Sequence, residues 1–220
     1  MEEDVPDLKE NIDPESLAYW FFRLNGFLTI INFVVHPDIG TRQRTDVDIL
    51  ACRFPHRKEL LINPMKDYDI FEKEKEKIYV AIAEVKTQRC KLNGPWTKPH
   101  SQNMQRVLRA IGVIPVSQID HAAFQIYENG YYEISDTLIT LICVGSQKNK
   151  DLLRKYPRVP QLTWDIVLAF IYERFKAYAA QKASHPQWDE SGKKLWDAAF
   201  RCTTIEEFTE MINVTSIIDY

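Results

Sequence analysis

The chain has 220 residues, 45% of them hydrophobic, which is enough to bury one sizeable core. Its formal net charge of -3 excludes a protein that coats nucleic acid by overall attraction, so any such binding would have to come from a local basic patch. No apolar run approaches transmembrane length, and the acidic start Met1-Glu2-Glu3-Asp4 lacks the apolar stretch of a signal peptide, so a cytoplasmic protein with no membrane partner is expected.

Residues 1–12 read as a loose tail. Asp13 followed by Pro14 is a helix start, an N-cap oxygen before a proline at the first helical position. Leu17, Trp20, Phe21 and Leu24 then recur at helical spacing up to a stop at Gly26, and Glu15 falls in the first turn, where an acid also suits the helix dipole. Phe27 to Val35 is a strand, and His36-Pro37-Asp38-Ile39-Gly40 is a turn. Arg42 and Arg44 then read more readily as solvated loop residues than as phosphate contacts. A second strand, Asp46-Val47-Asp48-Ile49-Leu50-Ala51-Cys52, has its carboxylates where it begins. Pro55 to Lys77 is too long for a hairpin loop and ends in alternating charge, which predicts a solvated segment able to shape substrate access.

Ile78 to Thr87 is a β-branched and apolar run ending in Glu84-Val85-Lys86-Thr87. Strand side chains alternate, so Glu84 and Lys86 share a face, and antiparallel pairing with the preceding strand brings Asp48 beside Glu84. Two acids and a lysine gathered in this way suit a hard divalent cation. Beyond them, Thr87, Gln88, Arg89, Lys91 and Lys98, with Trp96 and His100, make the best candidate loop for phosphate contacts; Trp96 reads as a base-stacking ring or, more plainly, as a packed anchor. Ser101 to Gly112 is a helix with Met104, Val107, Leu108 and Ile111 inward. Gln125 to Ser135 alternates around Glu128-Asn129-Gly130, which predicts a hairpin. Leu138 to Val144 is a strand buried on both faces. From Thr163 the period becomes helical: Trp164, Val167, Leu168, Ile171, Phe175 and Tyr178 form one stripe, Leu195, Trp196, Ala199 and Phe200 a second, and Ile205, Phe208 and Ile212 a third. His185-Pro186 separates the first two. Cys52, Cys90, Cys143 and Cys202 have no ligand spacing and read as buried free thiols.

At Asp48 and Glu84-Val85-Lys86 the sequence resembles the PD-(D/E)xK nuclease superfamily, the restriction-endonuclease-like group, over roughly residues 14 to 145. Thr45-Asp46-Val47-Asp48 stands where that group has a proline-aspartate pair, which leaves both Asp46 and Asp48 open as the ligand; Asp48 is favoured because it directly precedes Ile49-Leu50-Ala51. Glu15 sits where many members have a helical glutamate. The resemblance implies an α/β fold with a restriction-endonuclease-like core of helix, three strands, helix and strand. Its mixed central sheet would be flanked by helices, residues 13–160 forming the core and 161–220 a helical extension packed on it. It further implies Mg2+, or Mn2+ in its place, on Asp48, Glu84 and the Val85 carbonyl, with Lys86 orienting or deprotonating the attacking water and Glu15 assisting. The substrate implied is nucleic acid, DNA before RNA. The competing readings are a silent binding module of the same fold and an assembly subunit, such as a homodimer through the C-terminal helices.

Overall fold

A computed structural model describes residues 9–41, 43–62, 64–184 and 189–215. Arg42, His185 and Pro186 lie outside the described residues, as do residues 1–8 of the expected tail. The strands are β1 (Glu10–Ile12), β2 (Leu28–Val35), β3 (Thr45–Arg53), β4 (Ile78–Val85), β5 (Tyr131–Ile134), β6 (Thr137–Gly145), β7 (Gln161–Thr163) and β8 (Ile212–Val214). The helices are α1 (Pro14–Leu24), α2 (Asp69–Glu72), α3 (Gly94–Thr97), α4 (Asn103–Ile111), α5 (Ile119–Asn129), α6 (Lys150–Lys155), α7 (Trp164–Ala177), α8 (Ala179–Lys182), α9 (Glu190–Arg201) and α10 (Ile205–Met211).

The fold is mixed α/β, with a six-stranded sheet ordered β2-β3-β4-β6-β5 and β7 added to β6. β2, β3 and β4 pair antiparallel, whereas β4 and β6 run parallel and need a crossover, which α3, α4 and α5 supply. β4 and β6 are buried on both faces, and their alternation divides the core. Tyr79, Ala81, Ala83 and Val85 pack with α1, α7 and α9, while Val80 and Ile82 pack with α4 and α5. α1 begins as its sequence dictates: Asp13 accepts a bond from the Ser16 amide at 3.0 Å, and Pro14 occupies the first turn. No helix among the described residues is long and apolar enough to cross a membrane.

Four expectations are corrected. Gln125 to Asn129 is not strand but the end of α5, because Ala122, Ala123, Ile126 and Tyr127 make one buried helical face; Gly130, at φ 82, caps that helix, and the hairpin joins β5 to β6 after it. The expected tail is ordered from Glu10, since β1 pairs parallel with β8 and buries Ile12. That pairing also ends the third helical stripe at Met211 and places Ile212 in a strand.

The segment 55–77 is solvated only in part: Leu61, Lys73, Lys75 and Glu76 are exposed, but Asp67 and Phe71 are buried. Phe71 inserts fully into the core, its ring 4.7 Å from Phe27 and 5.3 Å from Tyr79. Asp67 and Glu59 tie the same segment to α7 and α8. Asp67 accepts from Arg53 at 2.6 Å, Arg57 at 2.8 Å and Arg174 at 2.9 Å; Glu59 accepts from Arg174 at 3.0 Å and Lys182 at 3.0 Å. Arg174 is wholly buried. The cysteines lack disulfides; Cys90, Cys143 and Cys202 are buried and Cys52 half-buried.

Candidate active site

β3 and β4 part where the acids lie. Their ladder ends at Ile49 and Ala83, and the next positions are Asp48 and Glu84. The Val85 amide bonds instead to the Asp48 carboxylate, at 2.7 Å. Glu84 continues the face of Val80 and Ile82 and is only 2% exposed. One of its oxygens accepts from the Trp96 indole at 2.6 Å and the other from Lys86 Nζ at 2.5 Å. Lys86 also donates to the Val85 carbonyl at 2.9 Å and stands 3.7 Å from Asp48 Oδ2.

Burial, then the Asp48 charge, push the Glu84 carboxyl up to about 7 against the pull of Lys86 and Trp96. Glu15 is likewise pushed up to about 7, by burial and then by Asp48, Asp13 and Asp46, with a bond from Asn32 acting the other way. Burial also raises Asp48, more than the Val85 amide and Lys86 lower it. Burial works against the Lys86 ammonium, but Glu84 and Asp48 outweigh it and raise its pKa. Lys86 therefore holds its proton at neutral pH, which suits a charge donor better than a base.

The donor set fits a hard divalent cation. Glu84, Asp48 and the Val85 carbonyl all approach one positive centre, the Lys86 ammonium, and all three offer oxygen atoms. Among the described residues, no three His, Cys, Asp or Glu side chains are grouped so as to hold a metal ion by themselves. A cation taking these oxygens requires Lys86 to turn away from this point. The raised acids then fix a sign for stability. From 4.5, the ordinary value, to about 7, folded Glu84 keeps a proton that the unfolded chain has lost, so stability falls as pH rises through that window. At about pH 8 in chelator, Glu84→Gln is expected to melt a few degrees above wild type. Mn2+ should then raise the melting temperature of wild type and leave the variant unmoved; thermal melts across pH with and without Mn2+ check both.

The structure thus brings together Asp48, Glu84, Val85 and Lys86. Glu15, from the first turn of α1, feels the Asp48 charge directly. Of the two aspartates, Asp48 contacts Val85 and Lys86, whereas Asp46 acts on the cluster through its charge. Thr87, Gln88, Arg89, Lys91 and Lys98 are exposed beyond the end of β4. Their run lies against Gly145, where an added Cβ would sit 2.4 Å from the Gln88 carbonyl, so only glycine permits the approach. Trp96 is 1% exposed and unavailable for stacking; its part at Glu84 was hidden in the sequence because the partners come from separate elements. Arg44 is held by Ser101 and Asn103, at 2.8 and 3.2 Å. A cleft of about 630 Å3 is not centred on the acids; it runs between β2 and α4, past Asn32, His36, Arg106 and Arg109.

Among known proteins, no family model, no curated protein and no solved structure matches this chain.

Proposed function

We propose that this protein is a divalent-metal-dependent nuclease with a restriction-endonuclease-like core, hydrolysing phosphodiester bonds in DNA. The observation that carries the reading is the convergence of Asp48, Glu84 and the Val85 carbonyl on one cationic centre at a fork in the sheet. A salt bridge kept only for stability is the weaker account of it, because burying such a pair often gives no net stabilisation. The element order, α1, then β2, β3 and β4, then α3 to α5, then β6, also suits that core, with α2 and β5 as additions to it.

The bound cation would supply a Lewis acid and a water acidic enough to yield hydroxide near neutral pH. The chain's own residues do the rest. Asp48 is fixed by the Val85 amide and Glu84 by the Trp96 indole, so both carboxylates are pre-oriented. Lys86, as an ammonium, stabilises charge developing on the phosphate. The exposed run Thr87, Gln88, Arg89, Lys91 and Lys98 leads away from this point and supplies contacts to the flanking phosphates.

Incubation with single-stranded, double-stranded and branched DNA and with RNA, in Mg2+ and in Mn2+, tests the reading. Cutting of DNA that stops with chelator is expected. An absence of metal-dependent cutting of every substrate would replace it with the silent binding module.

A further inference from the structure

β2 and β3 both turn over at one place. Ile31 packs on the α1 and α7 side of the sheet, yet Phe33, two residues on, packs on the α4 side. In β3, Ile49 lies on the first side and Val47 on the second. Residues two apart in a strand ordinarily share a face. Between them stand Asn32 and Asp48, the one position skipped in a register that runs from Leu28 and Cys52 to Val35 and Thr45.

Asn32 accounts for the turn. Its φ is 52, in the left-handed region, which asparagine tolerates better than most residues and which a strand interior does not otherwise use. It is exposed, so core packing does not explain it. Its carboxamide favours the Glu15 carboxylate, and it lines the cleft between β2 and α4. Strained, non-glycine backbone of this kind gathers where function requires it.

We propose that Asn32 is a positioning residue of the metal site, turning β3 and β2 over so that Asp48 faces Glu84 and Lys86, and holding Glu15 toward Asp48 through its carboxamide. The inference rests on the nuclease reading and assigns Asn32 a part that a glycine could share only in backbone. Glycine keeps the left-handed conformation and removes the carboxamide, so Asn32→Gly separates the two duties.

Mn2+ binding is measured by calorimetry on the full chain for wild type, Asn32→Gly, Glu15→Gln and the double variant, with melting temperature and cleavage kinetics alongside. Asn32→Gly should melt at or above wild type, bind Mn2+ about ten-fold more weakly and lose kcat with KM kept. Since Asn32 acts through Glu15, the double variant should bind within about two-fold of Glu15→Gln alone. Wild-type Mn2+ affinity in Asn32→Gly, or a double variant weaker than Glu15→Gln by the full ten-fold, overturns the role of Asn32 and leaves the nuclease reading standing. A wild type that neither binds Mn2+ nor cuts overturns both.

Discussion

Replacing Lys86 by alanine is expected to slow metal-dependent cleavage by about 10²–10³-fold or more while the protein stays folded. Under the nuclease proposal, the loss follows from removing an ammonium that would stand beside the phosphate. Folding survives because Glu84 is not stranded as a buried charge: already pushed up to about 7, it takes a proton, and the Trp96 indole continues to bind it. Lys86→Arg should not restore activity, since a planar guanidinium differs from a compact ammonium in reach and in the geometry of its donors. Steady-state cleavage and a denaturant melt on each variant separate the outcomes. If Lys86→Ala cuts normally, or unfolds, the lysine serves the fold and the catalytic reading loses its central residue.

Asp67→Ala is expected to cost about 3–5 kcal/mol of unfolding free energy, the usual penalty for breaking a buried ion pair from one side. Asp67 meets three arginines, and the side chains of Arg53 and Arg174 are 3% and 0% exposed, so neither can turn to water when the carboxylate is gone. Glu59 cannot compensate alone: burial raises its carboxyl, and Lys182, Arg174 and Arg57 already bring it below its ordinary value. Urea unfolding of wild type and variant measures the difference. A loss below about 1 kcal/mol would show the network to be open to solvent in practice.

Neither Arg174 nor Asp67 announced this in the sequence, because they lie 107 positions apart and their neighbours are charged residues that read as surface. What was legible had a local cause. Leu138 to Val144 could only be a doubly buried strand, Asp13-Pro14 could only open a helix, and the alternation of Glu84, Val85 and Lys86 put two charges on one face before any fold was known. Glu128-Asn129-Gly130 misled because asparagine-glycine serves a helix cap as well as a hairpin, and only the burial of Ala122, Ala123, Ile126 and Tyr127 decides between them. Asn32 was invisible for a related reason: Ile31-Asn32-Phe33 reads as ordinary alternation, and the reversal appears only once Ile31 and Phe33 are seen in opposite layers.

The parallel pair of β1 and β8 has a consequence for the order in which the chain assembles. It joins Asn11 to Asn213, 202 positions apart, through two strands of three residues each. Closing so large a loop costs chain entropy that so short a ladder repays poorly until α1, α7 and α9 are already docked. The seam is therefore the last part to zip during folding and the first to open afterwards. In hydrogen exchange, the amides of Asn11, Ile12 and Asn213 should trade with solvent well ahead of those of Ile82, paired on both sides, and of Ile142, paired with β4.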